Sequence, residues 1–170
     1  SKKLFFTEAL WTFFLPKFDV LGQLLETRAI GEIKSVYTEY GEYFAPGHRI
    51  FDPKLAGGPL LDLGTYQVSF LTEIFGVPKH IVGVGQPNPS GVNGQLSAIL
   101  TDADGNQGVF STTLYGFTPT NAVLVGTEGT IRFDSPFHLP GPFVVASADG
   151  SQTLRYEEPS GRHFEGLYYE

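Results

Sequence analysis

Apolar positions recur at helical spacing early in the chain and in short β-rich runs later. Phe18, Leu21, Leu24 and Leu25 follow Pro16 at a helical period, which predicts a helix at about 16–28 with Gly31 as its stop. The apolar, aromatic residues 4–11 before it suit either a short buried strand or the lead into a helix. Glu32 to Tyr43 is rich in Val, Tyr and Thr and predicts a strand. Residues 44–58 carry Pro46, Gly47, Pro53, Gly57 and Gly58 and read as a loop. Pro59 opens a second helix, with Leu60, Leu61, Leu63, Val68, Leu71, Ile74 and Phe75 as its apolar surface and Gly76 and Pro78 as its close. Beyond Lys79, short runs at 80–86, 95–102, 107–116, 121–126, 130–134, 143–148 and 152–157 predict a meander of about seven strands. Asp104-Gly105 and Asp149-Gly150 have the chemistry of hairpin turns. The expected fold is α+β: a largely antiparallel open sheet with helices packed on one face, in a single domain over residues 1–170.

Composition narrows the partners. The chain has 170 residues, 41% of them hydrophobic, a net charge of −7, and no cysteine. The acidic balance argues against nucleic acid and against an anionic membrane surface as partners. No run reaches the ~18 apolar residues of a membrane-spanning helix. Without cysteine there is no disulfide framework, thiolate nucleophile or cysteine metal site, which fits a cytoplasmic location. Methionine is absent even from position 1, the chain begins inside an apolar run, and it stops at Leu167-Tyr168-Tyr169-Glu170 where a helical pattern is starting. A piece excised at both ends from a longer protein is the expected origin.

Most local motifs have ordinary explanations. Gly83-Val84-Gly85 follows a strand but lacks the third glycine of a dinucleotide loop, and Pro87 and Pro89 forbid the helix that would hold a pyrophosphate. No cofactor-binding residue is assigned. Asp102, Asp104 and Asn106 lack the downstream Glu of a calcium loop and read as a hairpin turn. His48, His80, His138 and His163 are scattered, so no metal site is expected. Asp62 and Tyr66, four apart in the predicted second helix, share a face with Gly64 between them. A mid-helix glycine costs about 1 kcal/mol against alanine, which points to a close approach there. An acid beside a phenol can exchange protons with an alcohol or carbonyl, provided a cation lowers the phenol's pKa from about 10. It can equally be an ordinary pair near a helix start.

Several segments in order resemble one family. Gly57-Gly58-Pro59-Leu60-Leu61-Asp62-Leu63-Gly64-Thr65-Tyr66 is similar to the signature of the Gfo/Idh/MocA oxidoreductases. Glu8-Ala9-Leu10-Trp11, Arg49-Ile50-Phe51-Asp52-Pro53, Gly126-Thr127-Glu128-Gly129-Thr130-Ile131 and Phe164-Glu165-Gly166-Leu167-Tyr168-Tyr169-Glu170 resemble further segments of its C-terminal domain. Tyr at the last signature position resembles the branch of dihydrodiol dehydrogenases, D-xylose dehydrogenases and glucose–fructose oxidoreductase. The resemblance implies a C-terminal substrate-binding and dimerisation domain whose partner Rossmann domain binds NAD or NADP. It implies Tyr66 as acid/base, Asp62 as its companion, and a homodimer through the open sheet face. The family's catalytic lysine has no counterpart here, and Lys2 and Lys3 are not given its role. Trp11 matches a position that lines the substrate pocket, although a lone Trp is equally at home in a core. Arg49 is a candidate contact to substrate or cofactor phosphate.

The expected activity of the full-length protein is NAD(P)-dependent oxidoreduction at the CH–OH group of a sugar, polyol or dihydrodiol, with this chain inactive alone. A noncatalytic dimerisation or scaffold module is the alternative. A lyase or glycosidase cycle using NAD is a third and is less in keeping with Tyr66.

Overall fold

The computed structural model describes residues 3–5, 9–134 and 136–158. Lys2, Glu8, His163 and the expected C-terminal helix start at Phe164–Glu170 lie outside them. Trp11–Phe14 forms a single 3-10 turn that leads into the first helix; residues 6–8 of the apolar start lie outside the described ones. Helix α1 (Pro16–Glu26) opens on Pro16. There the missing N–H costs nothing, because that donor has no partner within the helix. Phe18 and Leu21 are buried. It ends two residues short of the predicted limit, where Thr27 Oγ1 donates to the Gln23 carbonyl at 2.8 Å and Arg28 turns to φ +54°.

The eight strands are β1 (Ile33–Gly41), β2 (His80–Pro87), β3 (Asn93–Thr101), β4 (Gln107–Thr113), β5 (Ala122–Gly126), β6 (Gly129–Phe133), β7 (Phe143–Ser147) and β8 (Thr153–Tyr156). All seven strands expected after Lys79 are present, but they do not form one continuous meander. The sheet order is β2-β3-β4-β1-β5-β6-β7-β8. β1 sits between β4 and β5, parallel to the first and antiparallel to the second. The β4–β5 connection therefore steps across the end of β1, where Thr118 Oγ1 accepts from Gly41 N–H at 2.7 Å and Thr118 N–H donates to the Gly41 carbonyl at 3.0 Å.

The predicted second helix is two pieces, α2 (Pro59–Asp62) and α3 (Gly64–Phe75), joined through Leu63, whose backbone angles remain helical. Leu71 and Phe70 of α3 press on the sheet. Phe18 of α1 stacks on Phe133 at 5.8 Å, and Phe70 meets both rings edge-on. These phenylalanines, with Phe137 and Phe143, form the centre of the core. Each such ring contributes roughly 1.5–3 kcal/mol by leaving water. A smaller cluster of Ile50, Leu63 and Leu114, with Tyr40, Phe44 and Phe51 against it, fastens the 44–58 segment to the sheet.

Among the described residues, no helix packs on the other sheet face. Cross-strand pairing aligns Val82, Ile99, Val109, Tyr37 and Val123 in one row across five strands, continued by Arg132 on β6. Ile99 and Tyr37 are 42% and 48% exposed. No helix among the described residues is long and apolar enough to cross a membrane.

Candidate functional site

The signature segment is shaped by its two leading glycines. Gly58 N–H donates to the Ile50 carbonyl at 2.7 Å and Gly57 N–H to the Asp52 carbonyl at 3.0 Å. A Cβ on Gly57 would stand 2.4 Å from the Ile50 oxygen, and Gly58 has φ +111°. Only glycine satisfies both demands. This tight return delivers Pro59 to the first turn of α2 and sets Arg49, on a 3-10 turn (Arg49–Phe51), opposite Asp62. The Arg49 guanidinium and the Asp62 carboxylate lie 4.0 Å apart, with side chains 65% and 39% exposed. So exposed an ion pair adds little stability, and both groups keep a solvent-facing side.

Gly64 has a packing explanation. It is the first residue of α3, not a mid-helix position. A Cβ there would meet the Leu60 side chain at 3.1 Å and Thr112 of β4 at 3.7 Å. The close approach is to the preceding helical turn, with β4 in ordinary contact.

One turn beyond Asp62, Tyr66 is half-buried in a group of rings. Trp11 meets it edge-on at 6.5 Å, Tyr40 lies at 6.2 Å, and His138 is nearest at 4.8 Å. Its neighbour Gln67 is fully buried. Gln67 Nε2 donates to the Ser111 carbonyl at 2.9 Å and to Thr38 Oγ1 at 3.3 Å, which ties α3 to the sheet beside Tyr66. Burial pushes the Tyr40 phenol up to about 12, with Glu42, Tyr66 and Asp62 adding to the effect. Tyr40 therefore stays protonated across the physiological range.

Of the four residues singled out from sequence, the fold links Arg49 to Asp62 and Trp11 to Tyr66. Asp62 and Tyr66 both act electrostatically on Tyr40, so the two pairs share one end of the sheet. Trp11 is 7% exposed and belongs to the core, while its edge reaches Tyr66. Three contributors were not foreseen. Tyr40 falls on the same face of β1 as the buried Val36 and Thr38, a usable signal. Gln67 breaks an apolar helix face, also a usable one. His138 carries no local signal.

The dinucleotide-like Gly83-Val84-Gly85 lies inside β2, paired residue by residue with β3. It is not a phosphate-binding loop. Asp102 closes the β3–β4 turn, its carboxylate accepting from the Asp104 and Asn106 amides at 2.9 Å each.

A model of the GFO/IDH/MocA C-terminal domain matches residues 18–132. Trans-1,2-dihydrobenzene-1,2-diol dehydrogenase of Xenopus tropicalis is 33% identical over 144 residues, covering 84% of this chain and 44% of that protein. The mouse (Mus musculus) protein of that name is 35% identical over 131 residues, covering 76% and 39%. This chain spans about half the length, or less, of these curated relatives. A 3-ketoreductase from Actinomadura kijaniata in complex with NADP and TDP-benzene superposes with a TM-score of 0.83 at 20% identity, over 98% of this chain and 53% of that one. An aldose–aldose oxidoreductase from Caulobacter crescentus complexed with glycerol gives 0.79 at 17% identity, over 93% and 49%. At such identities the likeness shows the shared fold. Fold, ordered motifs and the family match together place this chain in the GFO/IDH/MocA C-terminal domain family.

Proposed function

We propose that this chain is the substrate-facing C-terminal domain of an NAD(P)-dependent oxidoreductase acting on the CH–OH group of a diol, sugar or polyol. Tyr66 exchanges the hydroxyl proton. Asp62 orients the substrate or the phenol, and Trp11 and Arg49 line the substrate's approach. The observation that carries this reading is the placement of Tyr66. It is half-buried among rings, one helical turn from a carboxylate that itself faces an arginine. Such a phenol has an apolar setting for a carbon skeleton and a polar rim for hydroxyl groups. The names of the relatives, dehydrogenases and oxidoreductases of diols and sugars, favour the same chemistry.

The two glycines that resemble a dinucleotide-phosphate loop, Gly83 and Gly85, are taken up in a strand ladder. In this reading the nucleotide is held by residues this chain does not contain, and the chain alone carries no turnover. Its own contribution is binding and proton exchange.

The test is Tyr66→Phe in the full-length protein. Removing a general acid–base group is expected to lower kcat by about 10²–10⁴-fold with cofactor affinity little changed. Turnover near that of the unaltered enzyme would discard the assignment. A noncatalytic dimerisation module is favoured by a different observation, the uncovered apolar row on the open sheet face. The two readings part on whether the full-length protein turns over any diol or sugar with NAD(P).

A further inference from the structure

His138 lies on the connection between β6 and β7, far in sequence from the signature, yet its ring is the nearest of those around Tyr66. It stacks on Tyr40 at 4.6 Å and 21°, and meets Tyr66 at 4.8 Å and 36°. Phe137 touches it edge-on at 5.7 Å. The residue is 6% exposed.

Its connection is held by other elements rather than by ladder pairing. Thr12 Oγ1 donates to the His138 carbonyl at 2.6 Å. Phe137 N–H donates to the Thr120 carbonyl at 2.8 Å. The buried Lys17 ammonium donates to the Leu139 carbonyl. Glu158 bridges this connection to α1, accepting from Gly141 N–H through Oε2 and from Lys17 N–H through Oε1, each at 3.0 Å. Four attachments from separate parts of the chain fix one short connection. A loop so restrained has paid its ordering entropy before any ligand arrives.

We infer that His138 is a positioning residue for Tyr66: the Thr12, Lys17 and Glu158 attachments fix its backbone, stacking on Tyr40 sets its ring plane, and that plane sets the direction of the Tyr66 phenol. The inference rests on Tyr66 being the proton-exchanging group. Trp11 and Tyr40 lie farther from Tyr66, at 6.5 and 6.2 Å. The contribution is geometric. A misplacement of about 1 Å at a reacting group costs up to about 10²-fold in rate.

Two variants separate a ring from mere volume. His138→Leu fills the space without a plane, and His138→Phe keeps the plane without the nitrogens. In the 170-residue chain itself, near-UV circular dichroism reads how firmly Tyr66 is held, taken as the difference on adding Tyr66→Phe to each background. That difference is expected to persist in His138→Phe and to collapse in His138→Leu. In the full-length enzyme, His138→Leu is expected to lower kcat about tenfold or more, with KM nearly unchanged, and His138→Phe to restore it to within about threefold. Persistence of the Tyr66 signal in His138→Leu, or its loss in both variants, overturns the inference. Normal turnover by Tyr66→Phe would instead remove the acid–base reading. The dichroism, which needs no substrate, would still decide whether His138 orients Tyr66.

Discussion

Lys17 has no exposed surface, an unusual place for an ammonium group. It sits in the first turn of α1, where the helix dipole also disfavours positive charge. The rings of Phe18 and Phe133 lie 5.4 and 5.5 Å from its nitrogen. Burial pushes its pKa down to about 8 from 10.5, and the Glu158 carboxylate partly opposes that. Because the folded value is the lower one, the unfolded chain binds this proton more tightly between pH 8 and pH 10.5. Stability from this group is therefore smallest below pH 8 and rises through that window, by at most about 3 kcal/mol. Lys17→Met removes the ionisation. The melting temperature of the unaltered chain, relative to Lys17→Met, is expected to climb from pH 8 to pH 10.5. A pH-independent difference would show that the lysine is not titrating in place.

At the scale of elements, the α2–α3 junction concentrates the constraints on the site. Gly58 and Gly64 look alike in the signature but differ in physics. Gly58 has open space around a Cβ, the nearest atom being Val92 Cβ at 3.5 Å, yet its φ of +111° is one that L side chains rarely adopt. Gly58→Ala is expected to cost about 1–3 kcal/mol. Gly64→Ala asks only a small shift of the Leu60 side chain and should change stability much less. Chemical denaturation of the two variants checks the order; equal losses would contradict it. Strands and helices were legible in sequence because periodicity and turn residues are local. The break at Leu63 was not, since no proline or special backbone angle marks it. The seat of β1 between β4 and β5 was not, because strand pairing is settled by partners 70 or more residues away. Asp62 and Tyr66 were legible through spacing and resemblance. His138 was invisible, since Thr12, Lys17 and Glu158, which place its loop, come from opposite ends of the chain.

For the whole molecule, the sheet face that carries no helix among the described residues is the candidate surface for a partner. Its apolar row runs over five strands, and a depression of about 370 Å³ lies over Tyr37, Glu39, Ser97, Val109, Ser111 and Val123. We propose that a second copy covers it, with apolar row against apolar row. Sedimentation should then give twice the 18.6 kDa chain mass, falling to one chain on Ile99→Glu. A monomer at all concentrations would exclude this. The same sheet also dictates an order of assembly. β2–β4 and β5–β8 are built of neighbours along the chain, so each half can zip from its own turns. β1, made before either, joins the two halves: Ser35 pairs with Gln107, and Val36 with Leu124. On a ribosome, this strand must wait through the synthesis of about 90 further residues before its second edge has a partner. Until then the backbone N–H and C=O groups of that edge stay open to premature pairing with another chain.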